Sequence, residues 1–251
     1  MMARYTAKID RINIFIRCIV IQATWNFKAL IGMGFCFCVI PLARRLYDTP
    51  KERSDFLRRH LDFFNSHPYF ATYCLGAVTK LEEEALIKKW PDMRPISVFK
   101  ERMAGPLGVL GDQLFWSRIK PLTLALAMCI GLTVGWIALP IFLFVYNVPH
   151  FYIRLLGWRK SYRLGFDIVS VLSTRRFQGS LQKISIIGLG IAGLLISISA
   201  WWSLEQKPSV FVAFMVSILL TWLLVSLKLA VKYIILVAIV IGLIVGVLFV
   251  L

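Results

Sequence analysis

The sequence predicts an all-α integral membrane protein. Amphipathic or interfacial helices fill its N-terminal half, a glycine-rich re-entrant or hairpin segment follows, and about three transmembrane helices complete it. Three observations carry this. Hydrophobic residues make up 59% of the 251 residues, and the mean hydropathy is +0.74, well above an ordinary soluble domain. Long uncharged stretches run over 122–148, 184–204, 209–227 and 233–251; a bilayer core takes roughly 20 apolar residues per helix, so each of the last three can cross once. The chain carries a net charge of +16, and its basic residues gather at the ends of apolar spans, as the positive-inside bias and attraction to anionic lipid require.

The N-terminus is broken up by Arg4, Lys8, Asp10, Arg11 and Arg17 and lacks an A-x-A-like site, so no cleaved signal peptide is expected. Ile21–Phe27 then reads as part of an apolar helical segment, with Gln22, Trp25 and Asn26 sharing one face at i, i+3 and i+4. Two amides beside an indole suit a sugar: amides pair with hydroxyls, and the ring packs against the apolar C–H face. Thr49-Pro50-Lys51-Glu52 is a capping-box start with proline at the first helical position. Phe56, Leu57, Leu61 and Phe64 line one stripe of the helix that follows, which predicts an amphipathic helix lying on a membrane or a partner. Ser66-His67-Pro68 marks the next break, and a charged helix over Lys80–Lys89 ends before Trp90-Pro91. Glu82, Glu83 and Glu84 diverge by about 100° each, so they cannot converge on one ion and read as a solvated face.

Met103–Trp116 contains Gly105, Pro106, Gly108 and Gly111, which predicts a close-packing turn rather than a helix interior. After it, Asp112, Gln113 and Trp116 can share a helix face. A carboxylate beside an apolar span is costly unless it binds polar groups; capping the next helix is a compatible second role. The stretch 122–148 is too long for one straight crossing and contains Gly131, Gly135 and Pro140, so it reads as two shorter helices or one broken helix. The loop 150–183 has seven Lys/Arg against Asp167 alone, which places it in the cytoplasm. The chain therefore divides into an N-terminal interfacial region, 1–121, and a transmembrane region, 122–251.

Metal, disulfide and nucleic-acid chemistry are not indicated. The five cysteines are odd in number, lie in apolar surroundings and show no C-x-x-C spacing. His60 and His67 are separated by a turn signal, and no histidine has an evident base or phosphate cradle. The basic residues flank apolar spans instead of interleaving with exposed aromatics in a soluble segment, which excludes a nucleic-acid partner.

Several segments resemble the IID membrane subunits of mannose/fructose/sorbose-family phosphotransferase systems. The opening run from Ile21 to Tyr47 resembles the family's first motif. Arg58–Pro68 resembles R-R-H-L-E-F-F-N-T-x-P, and Met103–Trp116 resembles M-G-P-L-A-G-x-G-D-x-x-F-W. Tyr146-Asn147-Val148-Pro149 with Arg154 resembles F-N-x-x-R. The resemblance covers about residues 17–190. It implies a multi-pass subunit of the bacterial cytoplasmic (inner) membrane that pairs with a IIC subunit, in a higher oligomer, to translocate a hexose-type sugar. Cytoplasmic IIB and IIA phosphocarriers would deliver the phosphate. The IID chain itself bears no phosphorylated residue in this family, so no enzymatic activity of its own, no cofactor and no metal are expected. Gln22, Trp25, Asn26, Asp112, Gln113, Trp116 and Asn147 are the residues expected to line the sugar path or the IIC interface beside it. Gln113 replaces the family's proline, Ser117 its glycine, and His150 stands near a usual basic position. A diverged membrane scaffold or regulatory subunit without transport is therefore the alternative role.

Overall fold

The computed structural model describes residues 6–172 and 175–206, with scattered helical positions from 211 to 226. It is helical: α1 (Lys8–Ile19), α2 (Gly32–Leu46), α3 (Pro50–His60), α4 (Ala71–Ile87), α5 (Arg94–Gly111), a π-helical segment Asp112–Ile119, α6 (Lys120–Val134), α7 (Ala138–Leu164), a 3-10 turn Gly165–Asp167, α8 (Ile168–Leu172) and α9 (Arg175–Gln206). Two compact units divide the chain, Met1–Leu124 with Pro140–Gly188, and Ala125–Leu139 with Leu189–Leu251.

The first unit holds the larger core. α1 turns Ile14 and Cys18 inward, α2 adds Phe35, Cys38, Val39 and Leu42, and α4 is buried along most of its length. The capping box at the start of α3 forms as the sequence predicts: the Thr49 hydroxyl accepts from the Glu52 N–H at 3.2 Å, and the Glu52 carboxylate accepts from the Thr49 N–H at 3.1 Å. Half of the stripe behind it packs into the chain's own core. Phe56 and Phe64 are fully buried in the chain's own core, with Phe56 edge-on to His60 at 4.7 Å, while Leu61 stays exposed. Lys100 seals the end of α3 from within: its Nζ donates to the carbonyl of His60 at 2.9 Å and sits 4.7 Å from the Phe35 ring. The last carbonyls of a helix need such donors.

The glutamate triplet differs most from expectation. Glu82 and Glu83 are buried, not solvated. The three side chains do diverge, and each finds a separate set of partners. Glu82 accepts from Arg59 at 3.0 Å and from His60 Nε2 at 3.0 Å. Glu83 accepts from the Thr6 N–H at 3.0 Å and the Tyr162 hydroxyl at 2.8 Å, and Glu84 bridges Lys80 and Lys88. His60 therefore does have an acidic partner, contributed by a helix 22 residues away in sequence.

Two further expectations are corrected. Residues 20–31 form turns rather than a helix, because the Asn26 carboxamide supplies a local alternative: its Oδ1 accepts the N–H groups of Lys28 and Ala29 at 3.0 and 2.9 Å. Asparagine competes for backbone in this way, which is why it favours turns. The glycine-rich run is not a turn; α5 continues through Pro106 to Gly111. Gly111 serves close approach, since a Cβ there would lie 2.2 Å from Cβ of His67.

Among the described residues, three helical runs are long and apolar enough to cross a membrane: Arg94–Val134, Ala138–Leu172 and Gly179–Ser203. The expected break inside 122–148 falls at Gly135, whose φ of +83° is open to glycine but strained for other residues. The first run reaches back to Arg94, so the glycine-rich motif belongs to a candidate span. Of the remaining expected crossings, 233–251 lies outside the described residues, and 209–227 is described only at scattered positions. Within the second unit, the Thr133 hydroxyl donates back to the Cys129 carbonyl at 2.9 Å, satisfying a polar side chain on an apolar helix. All five cysteines are buried and free.

Candidate functional site

Three segments distant in sequence meet around a cleft of about 410 Å³. The turn after α1 contributes Gln22, Trp25 and Ile31; the link between α3 and α4 contributes Asn65, Ser66, His67 and Pro68; and α5 with the π-helical segment contributes Gly105, Gly108, Val109, Asp112 and Trp116. The size lies within the usual range of small-molecule sites, roughly 300–1,000 Å³. Trp25 and Trp116 stand on the rim, 48% and 42% exposed, with the Lys120 ammonium 4.8 Å from the Trp116 ring centre. Gly105 has open space where a Cβ would project, which keeps the helix backbone bare at that point.

The π-helical segment sets the presentation of Asp112 and Trp116. Its wider turn shifts the backbone bonds from i+4 to i+5, and two side chains donate to carbonyls in it as well. The Ser117 hydroxyl donates to the Asp112 carbonyl at 3.2 Å, and Arg118 donates to the Gln113 carbonyl while its Nε reaches Ser185 Oγ at 3.0 Å. Single stretches of π-helix in otherwise α-helical runs recur at functional sites. Asp112 has no side-chain role as a helix cap, leaving its carboxylate exposed in the cleft.

His67 is the residue that the sequence reading misses. Its Nδ1 accepts the Tyr69 N–H at 3.2 Å, so the proton of the neutral ring sits on Nε2. That buried nitrogen has no partner among the described residues, and a buried donor without an acceptor is costly. The ring stacks on Phe115 at 5.4 Å and lies 5.3 Å from Trp116. Burial, with Arg154 and His150 nearby, pushes its pKa down to about 4, so it remains a neutral donor near neutral pH.

Of the expected site residues, Gln22, Trp25, Asp112 and Trp116 converge on the cleft. Asn26 does not line it; both ends of its carboxamide hold the turn. Gln113 lies outside the lining, and Asn147 sits on α7, where it donates to the Leu143 carbonyl at 2.7 Å and faces His150 Nδ1. Asn65 and Ser66 join the site unforeseen, although they stand in the Arg58–Pro68 motif; their chemistry was legible there, but their position was not. A carboxylate, two amides and a hydroxyl, lining one cleft with two indoles, form a set suited to a polyhydroxylated ligand. Among the described residues, no group of three or more His, Cys, Asp or Glu could hold a metal ion.

The family model for the "PTS system mannose/fructose/sorbose family IID component" matches residues 6–207. The fructose permease IID component of Bacillus subtilis is 33% identical over 186 residues, 74% of this chain and 67% of the relative. The mannose-specific EIID component of Escherichia coli K12 is 33% identical over 74% of this chain and 66% of its own length. The chain thus spans about two thirds of the curated relatives it matches. A solved structure described as a membrane protein superposes with a TM-score of 0.76 at 28% identity, covering 96% of each chain. A chain from the complex of the mannose transporter ManYZ with microcin E492 gives 0.63 at 27% identity over 97% of each. The chain belongs to the IID component family of the mannose/fructose/sorbose phosphotransferase systems and is a helical membrane protein.

Proposed function

We propose that this chain pairs with a IIC subunit to form the sugar-translocating unit of a mannose-type phosphotransferase system, as a multi-pass protein of the bacterial inner membrane. Cytoplasmic IIA and IIB carriers supply the phosphate, and a hexose-type sugar enters as its ester. The chain acts as a non-phosphorylated subunit within a higher oligomer of IIC–IID pairs, with residues 1–121 carrying most of the substrate and partner motifs and the membrane helices beginning with the candidate span Arg94–Val134. One observation supports this reading: the cleft that brings Gln22, Trp25, Asp112 and Trp116 together with Asn65, Ser66 and His67. Three departures from the family's motifs, Gln113, Ser117 and His150, lie outside its lining; the reduced stretch at Ile184-Ser185-Ile186 and the shortened loop around 205–208 are the departures on which a regulatory role would rest.

Uptake assays on cells expressing the IIC–IID pair test the site. Losing one buried polar contact to a ligand costs about 1–3 kcal/mol, or roughly 5- to 150-fold in affinity. Asp112→Asn and His67→Phe are each expected to raise the apparent KM for sugar within that range while membrane insertion is unchanged. Wild-type KM in both variants would remove the cleft from the sugar path.

Charge placement sets the orientation, with 150–183 cytoplasmic and the polar stretch around Glu205 outside. Lys160 and Glu205 are exposed and the native cysteines are buried, so single cysteines at these two positions give a clean reading. An impermeant maleimide applied to whole cells is expected to label Glu205→Cys and to reach Lys160→Cys only after lysis. The reverse pattern overturns the orientation.

A further inference from the structure

A second cleft, also of about 410 Å³, opens between α1 and α2, on residues that the sugar reading does not use. Asp10, Asn13 and Arg17 line it from α1, and Pro41, Arg44 and Arg45 from α2. Three guanidiniums face a lone carboxylate. Arg45 takes that carboxylate, Nε to Asp10 at 2.7 Å. Arg17 is held in place by the Phe37 ring, 4.4 Å from its guanidinium carbon, and donates from Nη1 to the Phe37 carbonyl at 3.1 Å. Arg44 pairs with no carboxylate among the described residues and is exposed. Each guanidinium carries five N–H donors in a planar fork, so the cleft keeps several donors free and an excess of positive charge.

The helix that forms one wall has an unusual distribution of residues. Its inward face is Ile14 and Cys18, yet Ile9, Ile12, Ile16 and Ile19 are 41–59% exposed on a second face. At 100° per residue, Asp10, Asn13 and Arg17 fall between the two apolar faces. An amphipathic helix whose outer face is apolar and whose flank is cationic is built for the bilayer interface, where acyl chains cover the first and headgroup phosphates meet the second. Exposed Phe37 continues the apolar surface onto α2.

We infer that the α1–α2 cleft is a binding site for the phosphate of an anionic phospholipid, whose acyl chains lie along the Ile9–Ile12–Ile16–Ile19 face. Arginine suits this ligand because its fork matches phosphate oxygens two at a time. The other candidates, a free phosphate in the cleft or a protein surface on the isoleucines, are separated by the test.

The chain co-expressed with a IIC subunit is purified in detergent and analysed by native mass spectrometry with added dioleoylphosphatidylglycerol or dioleoylphosphatidylcholine. The wild type is expected to retain the anionic lipid in preference. Arg17→Gln with Arg44→Gln is expected to lower that retention about 25-fold, since each arginine near an anionic surface is worth about fivefold. Arg44→Gln alone, at an exposed side chain, carries the test at about fivefold should the double variant fold poorly. Equal retention of the two lipids overturns the proposal. So does displacement of the anionic lipid by millimolar inorganic phosphate, which marks a free-anion site. A photo-reactive probe on Ile12→Cys that captures the IIC chain instead of lipid overturns it as well.

Discussion

Glu82→Gln is expected to destabilise the folded chain by about 3 kcal/mol, near the low end for removing one partner of a buried ion pair. The carboxylate is fully buried, and both of its oxygens are used, by Arg59 at 3.2 and 3.0 Å and by His60 at 3.0 Å. Glutamine keeps the shape but turns an NH₂ toward the Arg59 donors. Arg59 is 28% exposed and can turn partly to water, which holds the cost at that end. The measurement is the thermal midpoint of the IIC–IID complex in detergent, expected to fall by several degrees; an unchanged midpoint would sink the argument. The pH dependence has a definite sign. Burial holds the His60 pKa below its usual value despite the Glu82 carboxylate beside it. Burial alone would raise the Glu82 carboxyl, but His60 and Arg59 together hold it below the carboxylate range. Both groups therefore bind fewer protons folded than unfolded. Their stabilisation is complete above the unfolded values, about 6.5 for His and 4.3 for Glu, and is lost as pH falls through the folded ones. Glu82→Gln is expected to flatten the lower part of that acid limb.

Gly111→Ala is expected to lower sugar uptake at least about tenfold while costing about 1–3 kcal/mol of stability, the usual range for an inserted methyl in a packed interior. A Cβ at 111 meets His67 at its own Cβ and Cγ, 2.2 and 2.3 Å away. Those atoms are near the backbone and cannot swing aside. The Asn65–Pro68 link must back away from the π-helical segment, taking the His67 N–H with it. Gly105→Ala is the control: nothing lies within 4 Å of its Cβ position, so the fold is expected to hold. Normal uptake by Gly111→Ala would detach His67 from the transport path.

What could be read in the sequence depended on how far each partner lies along the chain. The capping box at Thr49 and Glu52 spans three residues and was legible in full. The break at Gly135 was legible as a region, since three candidate breakers stood close together, but only the positive φ distinguishes it from Gly131 and Pro140. Asp112 and Trp116 reach the cleft because four positions apart on a helix share a face whatever the surroundings. Asn26 fails for an equally local reason: a helical wheel assumes the helix, and this side chain hydrogen-bonds the backbone into a turn instead. Glu82 and Glu83 could not be placed by local rules. Their partners Arg59, Thr6 and Tyr162 lie 23, 77 and 79 residues away, and a triplet of acids carries no mark of that. His67 was legible as a residue type but not as a donor, because its tautomer is set by the Tyr69 N–H and its orphaned nitrogen by packing against Phe115.

The Arg154 side chain fixes an order of assembly. Buried on α7, it donates to the Cys18 carbonyl at the end of α1, 136 residues upstream, and to His150 at 2.7 Å on its own helix. At about 5–20 residues per second, translation takes roughly 7–27 s to pass from one to the other. Throughout that interval the end of α1 lacks the cation that closes it, and Glu83 lacks Tyr162. The N-terminal half therefore cannot reach its final packing during its own synthesis. It must wait, with the Cys18 carbonyl and the Glu83 carboxylate short of these donors, until α7 has been made.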